Sequence, residues 1–160
     1  MTLRAWRITK ARHAASAFSG EGARLNGGHW NSSGVSVVYL AANLSAAMLE
    51  VLVHVQDVSL LSSYVAMEAT FDDSLVTEVN PDELAEGWSN WPPSAQTQRV
   101  GDEWAASGSS VLLRIPSAIV SVKQAYPQEC NYLLNPAHRD FDRIRISDAQ
   151  PISFARFVRG

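Results

Sequence analysis

Between residues 20 and 54 the chain reads GEGARLNGGHWNSSGVSVVYLAANLSAAMLEVLVH, and this stretch limits the possible folds more than any other. Five glycines, Gly20, Gly22, Gly27, Gly28 and Gly34, fall within fifteen residues. Each loses more backbone entropy on ordering than any other residue would, so the segment makes a poor helix or strand. It suits a loop that turns tightly or brings its backbone close to a ligand, or a long exposed turn with no ligand. Residues 35–40, VSVVYL, are β-branched and aromatic and read as a central strand. A helix is expected over 45–55, with Asn43 or Ser45 giving a side-chain oxygen to a first-turn amide.

The flanking chain is rich in strands. LRAWRI at 3–8 alternates with the period of a half-buried strand, and LLSSYVAMEATF at 60–71 does the same over a longer run, which 74–79 extends or pairs with. Alanine-rich residues 11–18 allow two helical turns. Asn80, Pro81 and Glu83 start a short helix that Gly87 ends. WSNWPP at 88–93 is an irregular loop whose tryptophans either anchor it to the core or line a cleft. Residues 94–106 form a helix with Val100 and Trp104 one turn apart, although Gly101 weakens it by ~1 kcal/mol relative to alanine. Further strands are expected at 109–115, 119–122, 131–134, 143–146 and 152–158, with Pro116 breaking the first of them. Strands interleaved with a few short helices, without regular βαβ alternation, argue for an α+β fold with a mixed central sheet. The 160 residues fit one domain, 1–160, with enough length for a sizeable core.

Charge excludes some partners. The net charge is −3, and the basic residues are scattered singly, so the footprint of a nucleic-acid binder is missing. The single cysteine, Cys130, rules out an internal disulfide and fits a reducing compartment. The N-terminal MTLRAWRITK lacks the pattern of a signal peptide, and no apolar run approaches the ~20 residues of a membrane span. The expectation is a cytoplasmic protein with no membrane partner.

Glu50 is the sharpest single feature. It is the only formally charged side chain between residues 40 and 56, so its helix should be apolar nearly all round and largely buried. A buried carboxylate needs a partner, either an arginine or His54, which lies four residues on and on the same face. Arg24 in the glycine loop is either a surface arginine or a fork that holds a phosphate or carboxylate with nearby amides. Tyr39 is either core or a flat face for a ring. His29 and His138 lack the paired spacing of a metal site, and no metal is expected. Ser117 lacks the GxSxG turn of a hydrolase, and the glycine loop lacks the GK[ST] of a P-loop.

The glycine loop with its strand and helix, followed by GDEWAAS at 101–107, IPSAIV at 115–120 and NYLLNP at 131–136, closely resembles the RES-domain family, named for an arginine, a glutamate and a serine. The likeness runs over nearly the whole chain. Arg24 falls on the family arginine, Glu50 on the glutamate of the helix, Ser117 on the serine, and Tyr39 on the aromatic of VVY. Many members read GGRWN where this chain has GGHWN, so His29 replaces a second cation.

The resemblance implies the toxin of a bacterial toxin–antitoxin pair, neutralised by a helix-turn-helix antitoxin of the Xre kind. It also implies an ADP-ribosyltransferase-like fold and action on NAD as substrate, by hydrolysis, phosphorolysis or transfer of ADP-ribose to a protein acceptor. On that reading Glu50, Arg24 and Ser117 are catalytic, while Arg24, Tyr39, His29, Trp30, Asn31 and Asn135 contact NAD. The competing reading is a non-enzymatic protein-binding module in which Glu50 is a structural acid.

Overall fold

A computed structural model describes residues 1–55 and 63–154. Its centre is one mixed sheet built from β1 (Thr2–Lys10), β2 (Val38–Ala41), β3 (Tyr64–Asp72), β4 (Val76–Glu78), β5 (Leu112–Pro116), β6 (Cys130–Leu134), β7 (Arg145–Ile146) and β8 (Gln150–Ile152). The order is β4-β5-β6-β2-β1-β3-β7, and β8 also pairs with β3. All neighbours run antiparallel except β4 and β5. Among the described residues three α-helices, α1 (Glu21–Asn26), α2 (Leu44–His54) and α3 (Ala95–Ser107), complete an α+β fold.

Period-2 patterning explains the sheet. Leu3, Ala5 and Arg7 of β1 stand opposite Phe71, Ala69 and Met67 of β3, so cross-strand partners share a face. One face carries the main core of Ala5, Val38, Leu40, Ala69, Phe71, Leu112, Tyr132 and Leu134. The other carries two separate packed groups. Trp104 of α3 packs with Trp30, Val37, Leu113, Ile115 and Leu133, whereas Met48, Val51, Leu52 and Val55 of the α2 segment pack on Ile8, Tyr64 and Phe154. The floor between them carries Tyr39 of β2 and Asn131 of β6.

Several sequence expectations change. The loop over 20–34 contains α1, because two of its glycines sit at the ends, Gly20 capping it at φ 76° and Gly27 closing it at φ 68°, and only Gly22 falls inside it. Residues 119–122 form no strand; Ser117 turns the chain there, and a 3₁₀ turn, Lys123–Ala125, follows. Residues 74–79 do not extend β3 but turn back as β4 beside β5. The expected strands at 60–71 and 152–158 extend past the described residues at 60–62 and 155–158; within them they run as β3 and the end of β8. Asn43 caps α2, its Oδ1 accepting from the Ala46 amide at 2.8 Å, and Ser94 caps α3.

Candidate active site

The loop over residues 28–32 is held against α3 by one helix face. The Thr97 hydroxyl donates to the His29 carbonyl at 2.7 Å, and Gln98 Nε2 to the Gly28 carbonyl at 3.1 Å. Asp102 accepts from the Ser32 amide at 2.9 Å and the Ser32 hydroxyl at 2.6 Å. Gly101 lies between these contacts, where a Cβ would sit 1.7 Å from the Trp30 carbonyl oxygen. The glycine that weakens the helix is the one that lets the loop dock.

The same loop is tied to β2 through Tyr39. Its hydroxyl accepts from the Trp30 amide at 2.9 Å and donates to Asn31 Oδ1 at 2.7 Å. Asn31 is fully buried, and its amide nitrogen donates to the Ala23, Ser32 and Val35 carbonyls. Burial holds the Tyr39 hydroxyl well above the ordinary phenol value; the Trp30 amide opposes this, and the Asp102 and Glu50 carboxylates add to it. Behind Tyr39, the half-buried Arg7 donates from Nε to the Ala17 carbonyl at 2.7 Å and from Nη1 to the Tyr39 carbonyl at 3.3 Å. Burial lowers the Arg7 pKa.

Glu50 projects from α2 onto the sheet floor. Asn131 Nδ2 donates to its Oε1 at 2.9 Å, so its partner is a neutral amide on β6 rather than an arginine or His54. Asn131 belongs to a cross-strand row of Trp6, Ala41, Asn131 and Ile115, with Tyr39, Leu133 and Leu113 one row away on the same face. Glu50, Tyr39 and Asn131 therefore lie together between the α2 and α3 packed groups.

The α2 helix is less covered than its composition suggests. Only Ala47 is fully buried, Glu50 is half-buried, and Leu49 and Val53 are 45% and 58% exposed. Its partly buried stripe of Met48, Val51 and Leu52 packs on Ile8, Tyr64, Ile152 and Phe154. His54 makes an edge-on ring contact with Trp91, which is 73% exposed. The two tryptophans of the 88–93 loop thus divide the work: Trp88 packs on Trp30 at 5.8 Å, and Trp91 stays at the surface.

The remaining sequence-predicted residues are spread around this floor. His29 stands at its rim, Nε2 donating to the Trp88 carbonyl at 2.6 Å. Trp30 is 2% exposed and belongs to the core. Arg24 lies on α1 rather than in a loop and pairs with Glu21, Nε to Oε2 at 2.8 Å; no contact joins it to Glu50 or Tyr39. Ser117 ends β5, and its buried oxygen accepts from the Ile119 and Val120 amides at 3.1 and 3.0 Å. Asn135 is buried at the far end of β6, bonded to the Ala105 carbonyl and the Ala137 amide.

Neither of two surface cavities includes Glu50. One, about 320 Å³, lies behind the Ser117 turn among Trp88, Val120, Lys123 and Tyr126; the other, about 510 Å³, holds Asn135, His138 and Arg139. His138 Nε2 donates to the Gly108 carbonyl at 2.8 Å while Nδ1 accepts the Asp140 amide at 3.0 Å, which fixes one neutral tautomer. Among the described residues no three His, Cys, Asp or Glu side chains converge as a metal site, and no helix is long and apolar enough to cross a membrane.

Asn131 and Asp102 were missed in the sequence as site residues. Asn131 had a visible signal, a polar side chain on the same strand face as Leu133 within CNYLL. Chemically, the floor offers a half-buried carboxylate beside a tyrosine ring, with no cation paired to it among the described residues.

The model of the RES domain family matches residues 4–155. Toxin Res of Yersinia enterocolitica is 41% identical over 150 residues, covering 94% of each chain. The Prs ADP-ribosylating toxin of a Sphingobium species is 37% identical over 150 residues, 91% of this chain and 89% of that one. The crystal structure of the M. tuberculosis MbcT–MbcA toxin–antitoxin complex contains a chain of the same fold, with a TM-score of 0.77 at 20% identity, over 98% of this chain and 87% of that one.

Proposed function

The chain belongs to the RES-domain family, and from that premise we propose that it is the toxin of a toxin–antitoxin pair, acting by cleaving the nicotinamide–ribose bond of NAD. The observation that carries this reading is the Glu50 carboxylate, bound on one oxygen by the neutral Asn131 amide and set beside Tyr39 on an otherwise apolar floor. Loss of nicotinamide leaves an oxocarbenium-like ribosyl centre, and a positioned negative charge stabilises that transition state. A carboxylate with no cation beside it keeps its charge for the substrate. The leaving group is neutral once the bond breaks, so the step needs neither a metal nor a general acid.

The other residues take supporting parts. Tyr39 offers its ring to the nicotinamide or its ribose, since its hydroxyl is already used by Asn31 and Trp30. Arg24 grips the pyrophosphate by exchanging Glu21 for it, a charge-assisted exchange at an exposed position. Ser117 has committed its oxygen as an acceptor and keeps its hydroxyl proton to donate. His29, Trp30 and Asn31 shape the rim from within the fold, and Asn135 supports the site from the far end of β6.

The partner is a helix-turn-helix antitoxin of the Xre kind in the same cytoplasm. The MbcT structure is of a toxin–antitoxin complex, and Leu49, Val53 and Trp91 give this chain apolar surface beside the floor.

The test is nicotinamide release from NAD by purified protein, with and without phosphate, and labelling of lysate proteins from labelled NAD. Release without phosphate indicates water as acceptor, release only with phosphate indicates phosphorolysis, and a labelled band indicates ADP-ribosyl transfer. No release and a blank gel would refute the enzymatic reading.

A further inference from the structure

Asn131 does more than hold Glu50. Its Oδ1 is the one buried side-chain nitrogen or oxygen among the described residues with no hydrogen-bond partner. Buried polar atoms are nearly always paired, so an orphan beside a reactive carboxylate points to a donor that arrives with a ligand. The amide cannot turn over to relieve it. Its Nδ2 donates to Glu50 Oε1 at 2.9 Å, and a flip would set Oδ1 against that carboxylate oxygen. Its cross-strand neighbours, Ala41 and Ile115, carry no side-chain donor.

We infer that Asn131 is a substrate-binding residue whose Oδ1 accepts a hydrogen bond from a hydroxyl of the ribose that bears nicotinamide. This rests on the NAD reading above. A ribose presents two hydroxyl donors on adjacent carbons, and Glu50 and Asn131 present two acceptors joined by one short bond. One hydroxyl donates to the carboxylate and the other to the amide oxygen, which fixes the sugar over the charge that stabilises its cleavage. Asn131 thus selects a sugar with an intact diol.

The experiment measures kcat/KM for nicotinamide release by wild type, Asn131→Ala and Asn131→Ser. The substrates are NAD and its analogues lacking the 2′- or the 3′-hydroxyl of the nicotinamide ribose, and melting temperatures are recorded alongside. Wild type should lose about 10-fold or more on each analogue, one hydroxyl answering to Glu50 and one to Asn131. Asn131→Ala should lose a similar factor on NAD and then be indifferent to one of the two deletions, while Asn131→Ser, which keeps an acceptor, should recover part of the loss. Should Asn131→Ala fail to fold, Asn131→Val, which fills the strand position without an acceptor, carries the same comparison. An acceptor-less variant that pays the full wild-type penalty on both analogues would overturn the assignment and leave NAD cleavage standing. A wild type that releases no nicotinamide, alone or with lysate proteins supplied as acceptors, would overturn the NAD reading itself, and this assignment with it.

Discussion

The Tyr39 hydroxyl donates to Asn31 Oδ1 at 2.7 Å, which joins the strand under the site to the loop at its rim. It also receives the Trp30 amide, so one phenol satisfies two buried groups of the loop. Gly28 makes room for it, since a Cβ there would lie 2.6 Å from the hydroxyl oxygen. The glycines that looked like flexibility are partly there to admit this contact.

Tyr39→Phe should therefore destabilise the protein by about 2 kcal/mol, the cost of orphaning a buried amide and a buried carbonyl oxygen. The pH dependence has a definite sign. Burial raises the Tyr39 pKa above its unfolded value of about 10, so the stabilisation is complete below pH 10 and is lost as pH rises further, when the unfolded chain ionises first. Urea unfolding between pH 8 and 11 checks this. Wild type should lose stability above pH 10 more steeply than Tyr39→Phe; Tyr126 and Tyr132, also raised by burial, leave the variant some slope. Parallel curves would refute the assignment.

Gly101→Ala tests the docking of α3. In an exposed helix this change stabilises by ~1 kcal/mol, but here the new methyl meets the Trp30 carbonyl at 1.7 Å. Overpacking against backbone should win, lowering stability by about 3 kcal/mol. A melting temperature at or above that of wild type would show that the loop is not seated on the helix.

Local signals were legible where the physics is local. Asn43 announced the start of α2, the helical pattern over 94–106 announced α3, and alternation announced β1 and most of β3. What failed was anything set by distant packing. Glu50 looked like a buried acid because its helix is apolar all round, yet α2 packs on the sheet with one stripe and leaves Leu49 and Val53 outside. Its true partner, Asn131, lies 81 residues away and meets it only because β6 pairs with β2. The helix inside the glycine stretch was hidden for a different reason: counting glycines says nothing about which of them stand at helix ends.

Ser117 has a structural duty that can be separated from any chemical one. Its oxygen holds the Ile119 and Val120 amides, so Ser117→Ala should cost about 1 kcal/mol and reduce NAD cleavage. Ser117→Asn keeps an acceptor for the turn and should recover the stability. Cleavage should stay at least about 10-fold down, because Asn carries its donor hydrogens on Nδ2, away from the place of the serine hydroxyl proton. Thermal melts beside nicotinamide-release assays decide it, and full recovery of turnover would confine Ser117 to the turn.

Glu50→Gln and Glu50→Ala separate the enzyme from the binding module. A structural acid buried with a charged partner would cost 3–5 kcal/mol to truncate. Here the side chain is half-buried and its partner is a neutral amide. Glu50→Ala should therefore cost only about 1 kcal/mol, and Glu50→Gln, which keeps an oxygen for Asn131, less. Both should lower nicotinamide release by about 100-fold or more, since either removes the charge facing the ribosyl centre. Induced expression in a bacterial host should then no longer arrest growth, although the variant proteins fold and accumulate. A Glu50→Gln protein that melts normally yet still cleaves NAD and still arrests growth would sink the proposed chemistry. One that collapses on Glu50→Ala would instead support a structural acid.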